Sequence, residues 1–134
     1  MLLDHIAIWT KRPEELKNYY STFFDGKPNN KYTNSESGFE SYFLTFESGT
    51  RLEIMSKPGI PENKNDTIVK QHDGIMHFAF GVSSKKEVDN KAIQLANAGF
   101  RILNGPRRTG DGYYEFEKLD PDNNRLEVTT EDVE

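Results

Sequence analysis

Two short patterns of residue types occur twice in this chain, and both contain groups that bind metals or move protons. The order histidine, apolar, alanine, apolar is found in His5-Ile6-Ala7-Ile8 and His77-Phe78-Ala79-Phe80. The order arginine, leucine, glutamate, apolar is found in Arg51-Leu52-Glu53-Ile54 and Arg125-Leu126-Glu127-Val128. Glu53 follows His5 by 48 positions, and Glu127 follows His77 by 50. We interpret the chain as a duplicated module in which each copy donates one imidazole and one carboxylate.

Two imidazoles and two carboxylates form a donor set that suits a borderline divalent metal. Taken singly, a histidine in a strand is usually a structural residue, and a glutamate between apolar neighbours usually marks the solvated face of an edge strand. Their matched positions in two copies favour a shared site, because ionised groups are seldom buried without a partner. We therefore predict one divalent metal per site, held by His5, Glu53, His77 and Glu127, with Ni, Co or Zn favoured over Mn or Fe. Four ligands leave positions open if the site is octahedral, and the metal would then act as a Lewis acid on a carbonyl or enediolate.

The bulk composition excludes several other classes of protein. The chain has 134 residues, which is the size of one domain, and it contains no cysteine for a disulfide, a thiolate site or a cysteine nucleophile. Its net charge is −5 and its basic residues are scattered, so we expect no nucleic-acid partner. It has no apolar run of the roughly 20 residues that a membrane span requires. The missing cysteines and the absence of a secretory signal pattern predict a cytoplasmic protein.

The elements that position the candidate ligands follow from apolar periodicity. In the first module, residues 1–55, we predict a strand over Leu2–Trp9, a helix over Thr10–Asp25 that Gly26 stops, a short strand over Lys31–Asn34, and strands over Phe39–Phe46 and Arg51–Met55. In the first strand, His5, Ala7 and Trp9 share one face, and Ile6 and Ile8 share the other. The order is βαβββ.

The second module repeats this order after a polar linker over residues 56–73, in which we allow for a short helix around Ile68 and Val69. In the module itself, residues 74–130, we predict a strand over Met76–Val82, a helix that begins with the capping pair Ser84 and Glu87, a strand over Phe100–Leu103, a loop over Asn104–Gly112, and strands over Tyr113–Leu119 and Arg125–Thr129. Val88, Ala92, Leu95 and Ala96 form the predicted buried stripe of the helix.

These segments resemble the vicinal oxygen chelate superfamily, the glyoxalase and bleomycin-resistance fold. The resemblance covers Leu2 to Thr129 and rests on His5-Ile6-Ala7-Ile8, Phe23-Phe24-Asp25-Gly26, Met76-His77-Phe78-Ala79-Phe80, Gly105-Pro106, Gly110-Asp111-Gly112-Tyr113-Tyr114 and the end Leu119-Asp120-Pro121-Asp122-Asn123-Asn124-Arg125-Leu126-Glu127. It implies an α+β protein, a single domain over residues 1–134, with two tandem βαβββ modules whose curved mixed sheets surround a metal.

Within that superfamily, the set His-Glu-His-Glu is similar to the ligand set of glyoxalase I. The resemblance implies a metal-dependent lyase or isomerase that moves a proton between adjacent carbons beside a carbonyl, on a thiol–aldehyde adduct such as that of methylglyoxal. We expect Glu127, or else Glu53, to be the base. Glyoxalase I members commonly carry an arginine four residues after the first histidine, where it helps to hold the carboxylate of glutathione. Here that residue is Trp9, and this departure counts against the glutathione adduct as the substrate but not against the metal chemistry.

Two alternative functions stay open. The first is another metal-dependent member of the superfamily, an epimerase or a dioxygenase. The second is a small-molecule binding or resistance protein without catalysis, although sequestering a molecule needs no Lewis acid.

Five further residues are candidates for contact with the small-molecule substrate: Trp9, Arg51, Met55, Tyr113 and Arg125. Arg51 and Arg125 each precede a ligand glutamate by two positions and therefore share its face. They either bind a substrate carboxylate, hold the glutamates in place, or form surface ion pairs at strand starts. Arg107 and Arg108, in the predicted loop, either close over an anionic substrate or are simply solvated.

We also predict a homodimer. Each module is expected to place its two ligands on one concave face and so to supply half a site. Closure within one chain and closure across two chains are both within reach of the linker. The resemblance to glyoxalase I favours sites shared between two chains.

Overall fold

The computed structural model describes residues 1–64 and 66–131. The chain divides into two compact units, residues 1–64 and 65–134. The boundary lies inside the predicted linker, 56–73. Among the described residues, no helix has both the length and the apolar character needed to cross a membrane.

The first unit consists of one helix on one sheet. Its elements are β1 (His5–Trp9), α1 (Pro13–Phe24), β2 (Lys27–Pro28), β3 (Tyr32–Thr33), β4 (Glu40–Thr45) and β5 (Arg51–Ser56). The strand order is β1-β5-β4-β2, and β3 also pairs with β4. β1 and β5 run parallel, whereas β2, β3 and β5 are each antiparallel to β4. The predicted βαβββ order is therefore present, with β3 inside the predicted short strand Lys31–Asn34, and β2 is an additional short strand that was not predicted.

Helix α1 is shorter than predicted at its start, and the residue that ends it is not the expected glycine. Thr10 stays with the sheet, because its N–H donates to the carbonyl of Met55 over 2.8 Å, and the helix begins at Pro13. Asp25 takes the left-handed conformation that terminates the helix, with φ of 58°. Gly26 serves a different purpose. It is buried, and a Cβ atom there would lie 2.9 Å from Leu44 Cδ2.

The second unit repeats the architecture. Its elements are β6 (His77–Gly81), α2 (Lys85–Asn97), β7 (Ile102–Arg108), β8 (Tyr113–Leu119) and β9 (Arg125–Glu131). The strand order is β6-β9-β8-β7, with β6 parallel to β9 and the other pairs antiparallel. The predicted α+β class and the two βαβββ modules with mixed sheets are thus confirmed.

The loop predicted over Asn104–Gly112 is largely strand. β7 continues through Gly105-Pro106, and the pairing with β8 shifts register on both sides of Asn104. Such irregularities accommodate proline and glycine inside a sheet. Arg107 and Arg108 consequently lie in a paired strand and not in a flexible loop.

The predicted capping pair at the start of α2 is present. The Ser84 hydroxyl accepts a hydrogen bond from the N–H of Glu87 over 3.2 Å, and the Glu87 carboxylate accepts one from the N–H of Ser83 over 2.7 Å. The carboxylate therefore reaches one residue further back than in the usual capping box. Val88, Ala92 and Leu95 are buried as predicted, but Ala96 is exposed, so the buried stripe of α2 is narrower than predicted.

The predicted short helix near Ile68 is a single turn. The N–H groups of Ile68 and Val69 donate to Asp66 Oδ1, and the N–H of Lys70 donates to the carbonyl of Asp66. The local bonds to the aspartate side chain compete with continued helix.

In each unit the helix covers one face of the sheet, and the candidate ligands lie on the other. The first core contains Leu16, Tyr19, Tyr20, Phe24, Tyr42, Leu44, Leu52 and Ile54. The second contains Val88, Ala92, Leu95, Phe116, Leu126 and Val128. Because side chains alternate across a strand, Glu53 between Leu52 and Ile54, and Glu127 between Leu126 and Val128, must point away from the helix.

Candidate metal centre

The first unit brings His5 and Glu53 together. In the parallel pair of β1 and β5, Ala7 lies beside Glu53, and His5 is two residues earlier on the same face. The two side chains lean toward each other, and His5 Nε2 is 3.7 Å from Glu53 Oε1.

Asp4 fixes the orientation of the His5 ring. His5 Nδ1 is 2.6 Å from Asp4 Oδ2, and Arg51 Nη2 is 2.7 Å from the same oxygen. The bonds from His5 and Arg51 hold the pKa of Asp4 below its usual value. Since an ionised carboxylate only accepts hydrogen bonds, His5 Nδ1 must be the donor. In neutral His5, Nε2 then carries the lone pair and faces Glu53. A carboxylate behind a histidine in this way is the usual support of a metal-binding imidazole.

Phe43 packs against the same ring. Its ring centroid is 5.4 Å from that of His5, with an angle of 81° between the planes. The Arg51 guanidinium lies 4.3 Å from the centroid of Phe43. Arg51 therefore braces Asp4 and Phe43, and it is not paired with Glu53 as one reading of the sequence suggested.

The second unit brings His77 and Glu127 together in the same way. Ala79 lies beside Glu127 in the parallel pair of β6 and β9. His77 Nε2 is 3.4 Å from Glu127 Oε2. The residue before His77 is Met76, so this copy has no carboxylate in the position that Asp4 occupies in the first.

Two glutamates that the sequence analysis did not select accompany Glu127. Glu115 and Glu117 lie on β8, and carboxylate oxygens of Glu115, Glu117 and Glu127 lie within 4.8 Å of one another. Burial, followed by repulsion from Glu115 and Glu117, raises the pKa of Glu127 to about 7. These two glutamates could have been selected from the sequence, because the alternation of Glu115, Phe116, Glu117 and Lys118 places both of them on one face of the strand.

Arg125 is buried and supports Glu117. It is 7% exposed, its Nη1 lies 3.2 Å from Glu117 Oε2, and its Nη2 donates to the carbonyl of Thr67 over 2.5 Å. It is thus neither a surface ion pair nor a direct support of Glu127. The sequence alone could not distinguish these cases. Arg51 occupies the matching position in the first unit, yet its side chain is much more exposed than that of Arg125.

The remaining predicted substrate residues lie on the ligand-bearing face of their own units. Trp9 is 41% exposed and is the register partner of Met55. The Lys57 ammonium lies 4.8 Å from the centre of the Trp9 ring system. Tyr113 is likewise 41% exposed and shares a strand face with Glu115. These positions leave Trp9 and Tyr113 accessible to a small molecule.

The donor atoms in both units fit a divalent metal. Two ligand atoms that each lie about 2.1 Å from one ion are separated by about 3.0 Å at the right angle of an octahedral site and by about 3.4 Å at a tetrahedral angle. The observed separations of 3.4 and 3.7 Å between imidazole Nε2 and carboxylate oxygen are therefore close to those of two ligands on one ion. His5 and Glu53 would be the ligands from the first unit, and His77 and Glu127 those from the second.

Known structures share this fold. One relative is a glyoxylase/bleomycin resistance protein/dioxygenase domain from Frankia sp. EAN1pec, with 18% identity, a TM-score of 0.80, and coverage of 98% of this chain and 92% of that one. A trypanothione-dependent glyoxalase I from Leishmania major has 20% identity, a TM-score of 0.77, and coverage of 97% and 86%. The fosfomycin resistance protein FosX from Listeria monocytogenes, solved with Mn(II) and sulfate, has 17% identity, a TM-score of 0.68, and coverage of 96% and 90%. At these identities the likeness concerns the fold.

A search of curated proteins by sequence found no match. The family model described as the Glyoxalase/Bleomycin resistance protein/Dioxygenase superfamily matches residues 2–128. That match spans both units, including both strand pairs that carry a histidine and a glutamate. With two βαβββ units and a match over nearly its whole length, the chain belongs to the glyoxalase/bleomycin resistance protein/dioxygenase superfamily.

Proposed function

We propose that this chain is a divalent-metal-dependent enzyme of the glyoxalase I type, which transfers a proton between adjacent carbons beside a carbonyl. The observation that carries the proposal is that each unit presents an imidazole nitrogen and a carboxylate oxygen within 3.4–3.7 Å on one face of a parallel strand pair. Two such pairs make the four-ligand set His5, Glu53, His77 and Glu127. The thiol–aldehyde adduct of methylglyoxal is the proposed type of substrate.

The metal, when bound, supplies a positive charge that stabilises negative charge developing on the carbonyl oxygen of the substrate. The protein supplies the proton carrier. Glu127 is the proposed base because it is buried and its carboxylate lies among polar groups on the open face of β9. It takes the proton from the carbon beside the carbonyl and returns it to the neighbouring carbon. Glu53, at the matching position of the first unit, is the alternative base.

Exposed Trp9 and Tyr113 are the proposed walls of the substrate pocket, with Met55 beside Trp9. Trp9 stands where an arginine would help to hold the carboxylate of glutathione, so a thiol other than glutathione is the proposed carrier. Arg51 and Arg125 already have carboxylate partners and are proposed to support the site rather than the substrate. A cytoplasmic location fits the cysteine-free composition.

The Glu127→Gln variant tests the assignment. Glutamine keeps an oxygen donor but does not accept a proton at neutral pH. Turnover of methylglyoxal adducts with glutathione, cysteine and coenzyme A should fall by about a hundredfold or more, since general base catalysis contributes at least this much. Metal content, measured by elemental analysis, should fall much less. The control is Glu131→Gln, which removes an exposed carboxylate from the same strand. Full turnover in Glu127→Gln with its metal retained would exclude Glu127 as the base.

A second candidate function is metal-dependent resistance to a small anionic compound. Its support is the carboxylate-rich second unit, because carboxylate oxygens suit Mn(II), and a structural neighbour, FosX, was solved with that ion. Incubation of the Mn(II)-loaded protein with fosfomycin, followed by mass spectrometry, tests it. A modified product would favour this candidate over the glyoxalase type, and unchanged fosfomycin would reject it for that compound.

A further inference from the structure

A cavity of about 380 Å³ lies in the first unit, at the carboxyl ends of the parallel strands β1 and β5. Lys11 follows β1 by two residues and Lys57 follows β5 directly, so each strand end brings a lysine to the cavity. The other walls come from Gly38 and Glu40 and from the rest of residues 56–60. The volume lies in the range of small-molecule sites. The crevice beyond the carboxyl ends of parallel strands is also a common position for ligands in open sheets.

This cavity is separate from the candidate metal centre. Glu40 and Ser56 line it and are register partners in β4 and β5. By strand alternation they point to the side of the sheet that helix α1 covers, as does the buried Tyr42 two residues after Glu40. The two candidate metal ligands of the first unit point to the other side, and none of the four candidate ligands lines the cavity. A molecule bound here would therefore not replace a ligand of the metal.

The two lysines of the cavity carry positive charge that no acidic side chain offsets. Neither ammonium group lies within 4 Å of a carboxylate oxygen in the part of the chain that the structure describes. The acid in the lining, Glu40, is already paired, because Lys31 Nζ is 3.2 Å from its Oε2. The same nitrogen is 2.6 Å from Glu14 Oε1. Lys31 thus neutralises the neighbouring acids, and the charge of Lys11 and Lys57 remains available to attract an anion.

An aromatic ring positions one of these ammonium groups. Lys57 Nζ lies 4.8 Å from the centre of the Trp9 ring system. The Trp9 ring packs edge-on against Phe39, with 6.0 Å between the ring centroids. The face of an aromatic ring attracts a cation without cancelling its charge. Lys57 is therefore held at the cavity and still carries a full positive charge.

Backbone contacts fix the walls of the cavity. Asn34 Oδ1 accepts hydrogen bonds from the N–H groups of Glu36 and Ser37. The Gly38 N–H donates to the carbonyl of Asn34 over 2.8 Å. Gly38 has a φ of 75°, and a Cβ atom there would lie 2.9 Å from Pro58 Cγ. The turn that contains Gly38 and the turn that follows β5 therefore meet and close one side of the cavity.

We propose that this cavity binds a small organic oxyanion, a carboxylate or a phosphate, through the ammonium groups of Lys11 and Lys57. Each ammonium offers three N–H donors and no acceptor, which suits the oxygens of both kinds of anion. The bound anion compensates two positive charges that the chain leaves without acidic partners. The site lies outside the metal centre, and the inference does not rest on the proposed function.

The fluorescence of Trp9 provides the first test, because Trp9 is the only tryptophan of the chain and lies beside Lys57. The full chain is freed of metal by a chelator, dialysed, and titrated with inorganic phosphate or with succinate at constant ionic strength. At least one probe should change the fluorescence along a saturating curve, and the probe that binds more tightly identifies the kind of oxyanion. If neither probe shows saturable binding by fluorescence or by isothermal calorimetry, the inference is wrong.

Variants then locate the site. Lys11→Gln should weaken binding of the better probe by about tenfold or more, because it removes a charge-assisted hydrogen bond. Lys57→Gln should have a similar effect, measured by calorimetry because the substitution also changes the surroundings of Trp9. The matched control is Lys27→Gln, which removes the same charge from the exposed strand β2 at the other edge of the sheet. Lys27→Gln should bind the probe like the unmodified protein.

Equal affinities of the Lys11→Gln and Lys27→Gln variants would overturn the inference, since general attraction by positive charge would then explain the binding. None of these measurements uses a metal or turnover. A failure here is therefore distinguishable from a failure of the catalytic role of Glu127, which the Glu127→Gln assay reports.

Discussion

His5 Nδ1 donates a hydrogen bond to Asp4 Oδ2 over 2.6 Å, so the residue before the candidate ligand supports it. Consecutive residues of a strand normally point to opposite faces, and a contact between them is not expected from alternation. Here Asp4 precedes the strand, which begins at His5, and its carboxylate turns back toward the ring. The contact selects the tautomer that leaves Nε2 available for a metal.

Replacing Asp4 with asparagine should therefore weaken metal binding. Loss of such an outer partner typically reduces affinity by about 10- to 100-fold. Competition with a chelator of known affinity, with Zn(II) or Ni(II) as the ion, measures the change. Asp73→Asn is the matched control, since it removes the same charge at an exposed position in the second unit, and it should leave the affinity unchanged. Equal affinities of the two variants would assign Asp4 a purely local role.

Mixing two inactive variants tests whether sites are shared between chains. His5→Ala and His77→Ala should each lose most of the bound metal. If a homodimer shares its sites, unfolding and refolding the two variants together should restore roughly a quarter of the unmodified activity, because one site of each mixed dimer has neither defect. Each variant refolded alone is the control. A mixture as inactive as its components would show that each chain closes its own site.

The buried Lys118 should make the stability of the second unit depend on pH. Lys118 is fully buried, its ammonium donates to the carbonyl of Leu119, and burial lowers its pKa from 10.5 to about 8. Below pH 8 both the folded and the unfolded chain carry the proton, and the cost of burying the charge is fully present. As the pH rises from about 8 to 10.5, the folded chain has lost a proton that the unfolded chain still binds, so stability increases.

Between pH 7.5 and 9.5, the free energy of unfolding measured with urea should increase by about 2 kcal/mol more in the unmodified protein than in Lys118→Met, which lacks the titrating group. Lys86→Met, at an exposed position of α2, is the control and should keep the pH dependence of the unmodified protein. Parallel stability curves for the unmodified protein and Lys118→Met would contradict the expectation.

Gly26 should be needed for packing and not for its backbone freedom. An alanine Cβ there would lie 2.9 Å from Leu44 Cδ2 and 3.1 Å from Phe46 Cε1. Leu44 is fully buried, so Gly26→Ala should cost about 1–3 kcal/mol in the free energy of unfolding. Gly110→Ala is the control, because nothing lies within 4 Å of a Cβ atom at that position. Similar melting temperatures for the two variants would refute the packing argument.

The repeated patterns were sufficient to predict both modules and the pairing of each histidine with its glutamate. The apolar alternation of strands and the apolar periodicity of helices indicate directly which faces are buried. The same order of elements in both copies strengthens the prediction for each. The same reasoning failed at Gly105-Pro106, because the register shifts that keep β7 paired are set by its neighbour β8. It also gave Gly26 the conformational role that Asp25 performs.

At the site, the four candidate ligands were recognisable because they repeat, whereas their supporting residues do not. Asp4 has Met76 as its counterpart, and Glu117 has Phe43. Residues that occur in only one copy are not found by comparing repeated patterns. Their roles became visible only when distances within each unit could be measured.

The difference between Phe43 and Glu117 means that the two copies are no longer interchangeable. A chain made of two first units would have two braced imidazoles and no extra acids, and a chain made of two second units would have six clustered carboxylates and no Asp4. One half of the repeat therefore holds an imidazole ring in place, and the other gathers negative charge.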